Sequence, residues 1–219
     1  EILRKPIYDD DHVMIAVHEA GHTICQMIEF GELPTKVCAF SPNVNSEGYM
    51  ERKSRDYSTK EMVESIITVA LGGWSAEKLI FGSDKLGVGA SGDIAAASTE
   101  ATASIQSWGF GDLPIIIQRA TESDNCGIEY TAETDSQIKN IIETCLQKTE
   151  AHLKKHKALL LDIAGELLNK SHLVASDISV IIERNNFTLP VKQKLTDVFE
   201  DLMNKNNIKW KPEYEENQE

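Results

Sequence analysis

The architecture follows from residues 13–30, which read VMIAVHEAGHTICQMIEF. Apolar residues recur in this stretch at helical spacing, as at Val17 and Ile24, and polar residues fall between them. Gly31 and Pro34 follow directly and are residues that end helices. The stretch therefore predicts an amphipathic helix of about five turns.

The helix carries the pentapeptide HEAGH at residues 18–22. Residues four apart lie one turn apart on the same helix face, so His18 and His22 can bind one metal ion. Glu19 then lies beside the open coordination position, where it can take a proton from water. The pattern also arises by chance, but the amphipathic helix around it and the short sheet predicted after it favour a Zn²⁺ site.

A catalytic zinc site needs a third protein ligand, and none follows HEAGH locally. His12 is six residues before His18 and points away from its helix face. The other histidines, His152, His156 and His172, lie in a polar helical region and are expected to be solvated. Glu77 and Asp93 are the better candidates, since each lies on a predicted helix that can pack beside the motif. Spacing alone does not choose between them.

The composition excludes some classes of function. The chain has 219 residues, 41% of them hydrophobic, and a formal net charge of −13. This acidic balance argues against a nucleic-acid partner, because phosphates attract positive charge. The longest apolar run, residues 66–71, is far shorter than the roughly 20 residues of a membrane-spanning helix, so a soluble chain is expected.

The four cysteines form no CxxC pair, which predicts reduced, partly buried thiols in a cytoplasmic protein. Glu1 is not a natural first residue, so we expect an excised domain or a processed chain.

The remaining pattern predicts a fold that is mainly α with a small β-sheet. A zincin-like HExxH helix domain (1–130) precedes a helical subdomain (131–207) and a flexible tail (208–219). The elements predicted after the first helix are strands at 36–40 and 48–52, a helix from the capping-box residue Ser58 to Phe81, a glycine-rich loop at 82–92, a helix ending at Gly109 with Asp93 in its first turn, and helices from Ala132 onward.

Several further segments accompany HEAGH, and together they resemble one known family. They are GGWSAEK at 72–78 with IFG at 80–82, GASGDI at 89–94 and WGF at 108–110. In this order and at this spacing they resemble the peptidase domain of the FtsH-type, AAA-linked, membrane-anchored zinc metalloproteases. The resemblance has clear motifs from His12 to Pro114 and continues as a helical pattern to about Asn204.

The resemblance implies specific roles. Asp93 corresponds to the aspartate that completes the metal site in that family, and Glu77 to a glutamate that orients a ligand histidine, although Glu77 could instead form a helix salt bridge. Three residues depart from the family pattern: Trp74 replaces arginine, Lys78 replaces a second glutamate, and Gly92 replaces asparagine. None of the three is a ligand or the base.

The resemblance also implies a homo-oligomer, with a hexamer as the family's form, and an ATPase module upstream or in trans. No GxxxxGK[ST] phosphate loop occurs in this chain, so it is not expected to hydrolyse ATP. Membrane association would require a segment that the given sequence lacks.

The predicted function is a zinc-dependent endopeptidase with one Zn²⁺ per chain, acting on unfolded or flexible polypeptides. The substrate is expected to lie along an edge strand at Gly48, Tyr49 and Met50. The alternative is a non-catalytic, zinc-stapled assembly module. Glu19 favours the peptidase, because a structural site needs a fourth protein ligand and no base.

Overall fold

The computed structural model describes residues 9–40, 49–51, 59–115 and 131–209. These residues are mostly helical with one small sheet, which confirms the predicted fold class. The elements are α1 (Asp10–Phe30), β1 (Lys36–Cys38), β2 (Tyr49–Glu51), α2 (Lys60–Ala70), α3 (Gly72–Phe81), α4 (Ser91–Gln106), α5 (Thr131–Lys155), α6 (Lys157–Lys170), β3 (His172–Val174), α7 (Ala175–Arg184) and α8 (Leu195–Lys205), with short 3₁₀ turns at Ser83–Lys85 and Val88–Ala90.

The chain divides into two compact units, Glu1–Leu189 and Pro190–Glu219. The first contains every element from α1 to α7, and the second contains α8. The boundary expected at residue 130 and the flexible tail expected from residue 208 stay predictions.

α1 is fixed at both ends by capping interactions. The side chain of Asp9 accepts a hydrogen bond from the His12 amide at 3.0 Å, which satisfies one of the free N–H groups of the first turn. Gly31 adopts a left-handed conformation, φ 67°, and its N–H donates to the Met27 carbonyl at 3.0 Å. The predicted start and end of the motif helix are therefore accurate to within a few residues.

The sheet is three-stranded, antiparallel, with the order β2-β1-β3. In its register Val37 pairs with Met50 on one side and with Leu173 on the other. β3 departs from the helical pattern predicted beyond residue 132, because a three-residue strand is too short to show an alternating period. β2 lies at one edge of the described sheet.

The predicted helix that ends at Phe81 is two helices, since the chain breaks between α2 and α3 at Leu71. Gly72 packs against α1: a Cβ on Gly21 would lie 2.3 Å from the Gly72 carbonyl oxygen. α2 begins after Thr59, whose side chain accepts from the Met62 amide at 3.2 Å. Ser58, the predicted capping residue, lies outside the described residues.

α1 forms the centre of the larger apolar core, and its buried face includes Ala16, Ala20 and Ile24. A second apolar cluster joins α2, α4 and α5 around Ile67 and Ala101. Cys25, Cys38 and Cys145 are free and buried, while Cys126 lies outside the described residues. None of the described helices is both long and apolar enough to cross a membrane.

A buried ion cluster joins α1, α2 and α5. The Glu29 side chain is 2% exposed and binds His152 Nε2 and Lys148 Nζ, each at 2.7 Å. Ser65 Oγ also donates to this carboxylate, at 2.8 Å. The expectation that His152 is solvated is therefore wrong. Local sequence could not show this contact, because Glu29 lies 123 residues earlier in the chain.

We expect Glu29→Gln to lower the free energy of unfolding by about 2 kcal/mol, because the Lys148 ammonium group and the His152 ring lose a buried carboxylate partner. Burial opposes ionisation, but hydrogen bonds from its partners outweigh it and lower the pKa of Glu29 from 4.5 to about 2. A depressed carboxyl pKa stabilises the fold above pH 4.5, and this contribution is lost as pH falls towards 2. The stability difference between wild type and variant should therefore shrink over that range in urea titrations.

The matched control is Glu143→Gln, which breaks an exposed pair with Lys139 on α5. Such pairs contribute between 0 and about 1 kcal/mol, so its unfolding midpoint should barely move. Equal losses in the two variants would contradict the stabilising role of the buried cluster.

Candidate metal centre

Three side chains from two helices converge beside α1. The Nε2 atoms of His18 and His22 lie 3.0 Å apart, and Asp93 Oδ2 lies 3.0 Å from the first and 3.2 Å from the second. Asp93 belongs to the first turn of α4, as predicted. Of all described residues, only these three form a group of His, Cys, Asp or Glu suited to hold a metal ion.

The orientation of His22 is set by the break between α2 and α3. Its Nδ1 lies 2.7 Å from the Val69 carbonyl, which can only accept, so Nδ1 carries the proton and Nε2 is free to bind a metal. Val69 is in the last turn of α2, where carbonyls lack partners within the helix. The end of α2 therefore supplies the acceptor that orients His22.

Glu77 contacts the Nδ1 atom of His18, as the Val69 carbonyl contacts that of His22. Its Oε1 lies 2.6 Å from His18 Nδ1, and its Oε2 accepts from the Gly87 amide at 2.9 Å. Its side chain is only 3% exposed. The carboxylate thus contacts both a candidate ligand and the loop that leads to Asp93, as a group that fixes ligand geometry does.

Gly73 leaves room for the ring of His18. A Cβ at this position would lie 2.3 Å from His18 Cε1 and 2.4 Å from Nε2, closer than packed atoms approach. The consecutive glycines at 72 and 73 thus serve two contacts, one with the α1 backbone and one with a candidate ligand. The sequence reasoning missed both roles, and the glycine pair itself was the signal.

The donor set fits zinc. Tetrahedral zinc binds imidazole nitrogen and carboxylate oxygen at about 2.0–2.2 Å, which places its ligand atoms roughly 3.3 Å apart. The three donor atoms are separated by 3.0 to 3.2 Å. Both histidines already have their Nδ1 atoms engaged, and an anionic carboxylate completes the set.

The ligand candidates also perturb each other's ionisation. Burial lowers the pKa of His18, but hydrogen bonds to Asp93 and Glu77 outweigh it and raise the value from 6.5 to about 9. Burial raises the pKa of Asp93, yet hydrogen bonds from the two imidazoles hold it well below its usual range. Asp93 is therefore anionic, which is the form that binds a cation.

Glu19 is buried next to these groups, with 4% of its surface exposed. Its Oε2 has no hydrogen-bond partner among the described residues. Burial raises the pKa of Glu19, while the two histidines act in the opposite direction. A carboxylate with a raised pKa and a free oxygen is suited to accept a proton.

The three candidate ligands, Glu19 and Glu77 line a cleft of about 780 Å³. Tyr49 and Met50 of the edge strand β2 form part of its wall, and apolar residues such as Met14 and Ile66 form another part. Gly48, predicted with this strand, lies outside the described residues. The cleft is large enough to enclose several residues of a peptide.

Two departures from the family pattern lie outside the cleft lining. Lys78 Nζ lies 5.1 Å from the centre of the Trp74 ring and 2.8 Å from Glu150 Oε1 on α5. The third departure, Gly92, does line the cleft.

His12 lies away from the ligand group, where it pairs with Asp9 and packs against Phe40.

Comparison with known proteins gives consistent matches. The chain is 28% identical over 187 residues to an ATP-dependent zinc metalloprotease YME1L of Drosophila melanogaster, covering 81% of this chain and 25% of the relative. It is 28% identical to an ATP-dependent zinc metalloprotease FtsH of Mesomycoplasma conjunctivae, over 91% of this chain and 29% of the relative. An FtsH of Pelodictyon phaeoclathratiforme is 30% identical, over 84% of this chain and 30% of its own length.

The chain therefore spans between a quarter and a third of these curated relatives. The sequence profile of peptidase family M41 matches residues 6–181, which include every residue of the candidate metal centre. The relatives named above are zinc metalloproteases. The chain is an FtsH-type peptidase domain and belongs to peptidase family M41.

Proposed function

We propose that this chain is a zinc-dependent endopeptidase that hydrolyses peptide bonds of unfolded or flexible polypeptides. One Zn²⁺ per chain is held by His18, His22 and Asp93. The observation that carries the proposal is the free, buried Oε2 of Glu19 beside three converging metal donors. A structural zinc site does not require a buried carboxylate without a partner, whereas peptide hydrolysis requires a general base beside the metal.

Different residues of the chain have different roles in the proposed reaction. A bound zinc ion would supply Lewis acidity, which acidifies water and polarises a scissile carbonyl. Glu19 takes the proton of the attacking water and returns it to the leaving amine. With a metal bound, Glu77 and the Val69 carbonyl would hold both imidazoles with their proton on Nδ1, so that both Nε2 atoms can act as ligands.

The edge strand β2 is the proposed binding site for the substrate main chain. An extended peptide can add to the exposed side of β2 through main-chain hydrogen bonds, with Tyr49 and Met50 in the cleft wall. This mode requires a chain without stable structure, because a folded segment has no free main-chain groups to pair. Unfolded or flexible polypeptides are therefore the substrate class.

The proposal includes a partner that unfolds substrates. The relatives are named ATP-dependent, and this chain matches only about a quarter to a third of their length. An ATPase module upstream in the same protein or in trans would deliver unfolded chains to β2. Homo-oligomers, with the hexamer implied by the resemblance, and a cytoplasmic location complete the proposal.

Zinc content and cleavage measured together test this function. We expect elemental analysis to find one zinc per chain, and the protein to cleave an unfolded, fluorescently labelled casein without ATP. A strong chelator should abolish cleavage, and added Zn²⁺ should restore it, because the ligands remain in place. One zinc per chain without any cleavage would favour the assembly module instead.

A further inference from the structure

The last turn of α2 has two neighbouring carbonyls that are bound by side chains of other helices. The Val69 carbonyl lies 2.7 Å from His22 Nδ1 on α1. The preceding carbonyl, that of Thr68, accepts a hydrogen bond from the Thr149 hydroxyl on α5 at 3.0 Å. Carbonyls in the last turn of a helix lack donors within that helix. α1 and α5 therefore each supply one donor to the end of α2.

The bond between Thr149 and Thr68 is closed to solvent, since both residues are 0% exposed. Thr149 Oγ1 also lies 2.8 Å from the Cys145 carbonyl, but that carbonyl lies inside α5, where the backbone N–H four residues later donates to it. The Thr68 carbonyl, in the last turn of its helix, depends on the hydroxyl instead. A buried carbonyl that loses its donor is costly, so the backbone around it would move to find another.

Other side chains of α5 bind the same helix. The Cys145 thiol lies 3.5 Å from the Glu64 carbonyl of α2. Three residues later, Lys148 binds the Glu29 carboxylate, which also accepts a hydrogen bond from Ser65 of α2. These contacts fix α5 against α2, which gives the Thr149 hydroxyl a set position.

A movement of the Thr68 carbonyl would reach the candidate metal centre, because this carbonyl and that of Val69 belong to consecutive peptide groups. Each peptide group is planar, so turning one carbonyl toward a new donor changes the direction of the next. The Val69 carbonyl is the acceptor that orients His22, whose Nε2 lies 3.2 Å from Asp93 Oδ2. The Thr149 hydroxyl is therefore one peptide group away from the acceptor that orients a candidate ligand.

We propose that Thr149 is a positioning residue for the metal centre. By binding the Thr68 carbonyl it fixes the end of α2, and with it the Val69 carbonyl that orients His22. This inference rests on the proposed zinc-dependent function. It makes the metal centre depend on α5, although all three candidate ligands lie on α1 and α4.

Thr149→Val tests this role, because valine resembles threonine in shape but has no hydroxyl. The variant should bind zinc about tenfold more weakly, the lower end of the range for groups that orient a ligand, since Thr149 acts through an intervening peptide group. Competition with a chromogenic zinc chelator measures the affinity. Thr149→Ser keeps the hydroxyl and should bind zinc like the wild type. If valine prevents folding, Thr149→Ala replaces it with the same expectation.

The matched control is Ser104→Ala on α4. Ser104 is 3% exposed, and its hydroxyl donates at 2.8 Å to the Glu100 carbonyl of its own helix. The control therefore also removes a buried hydroxyl, but no donor to the end of α2. It should keep the zinc affinity of the wild type even where it lowers stability.

A second measurement separates positioning from a general loss of stability. In zinc-loaded protein with isotope-labelled histidine, the Nδ1 protons of His18 and His22 should each give an NMR signal, because their hydrogen bonds slow exchange with water. In Thr149→Val the His22 signal should shift or broaden. The His18 signal should stay unchanged, since its partner is Glu77 rather than the end of α2.

Unchanged zinc affinity and an unchanged His22 signal in Thr149→Val would overturn the inference, as would an equal loss of affinity in Thr149→Ser or Ser104→Ala. Zinc content and casein cleavage of the wild type decide the proposed function separately. If the wild type binds zinc and cleaves casein, and Thr149→Val matches it in affinity and in the His22 signal, only the positioning role is removed. A wild type that binds no zinc removes both.

Discussion

Glu19→Gln should retain one zinc per chain and lose about 10²- to 10⁴-fold in kcat, the range that a general base contributes. Glutamine has the size and shape of glutamate but cannot accept the proton of water. The carboxylate is not among the three candidate metal donors, so the ion should stay. Elemental analysis and casein hydrolysis on the same preparation measure both quantities.

Removing the buried charge should leave the protein folded. Oε2 of Glu19 has no described partner, so an amide there breaks no hydrogen bond of that atom. The exposed Glu133→Gln on α5 is a suitable control for the loss of one negative charge, and it should cleave like the wild type. Zinc loss in Glu19→Gln, or full activity without the carboxylate, would refute the role of Glu19 as base.

The sequence predicted the part of the site that lies on one helix. Apolar spacing located α1, and the interval of four residues placed His18 and His22 on one face. Local signals also placed Asp93 in the first turn of a helix after a glycine-rich loop. These features depend only on residues close together in the chain, where periodicity and turn chemistry are informative.

The features that sequence reasoning missed depend on long-range contacts. His152 contacts Glu29 across 123 residues, and β3 exists because it pairs with β1. No local pattern records either contact. The spacing also left Glu77 and Asp93 open as third ligands, since both lie on helices that could pack beside the motif; only the resemblance distinguished them.

The break between α2 and α3 shows how a missed feature bears on the site. Periodicity continued across residues 70 to 73, so it predicted a single helix. The glycine pair allows close contact with α1 and with the ring of His18, and the new helix begins at Gly72. Ending α2 at Ala70 exposes the Val69 carbonyl to His22. The same break therefore helps to orient both histidines.

The two carboxylates near the histidines can be separated by their effects on zinc affinity. Asp93→Ala should lower that affinity by well over 100-fold, because it removes a donor atom that lies within 3.2 Å of both imidazole nitrogens. Glu77→Gln should lower it by only about 10- to 100-fold, the usual effect of losing a group that orients a ligand. Competition with a chromogenic zinc chelator measures both affinities.

Asp84→Ala provides the control, since Asp84 is exposed in the same loop region and does not line the cleft. Its zinc affinity should equal that of the wild type. Glu77 contacts Nδ1 of His18, whereas Asp93 contacts the opposite ring nitrogen, Nε2. Glu77 therefore cannot bind the same ion as Asp93 unless the His18 ring rotates. If Glu77→Gln abolished zinc binding while Asp93→Ala preserved it, that turn of the ring would have to occur. Glu77 would then be the third ligand, and Asp93 the group that orients His18.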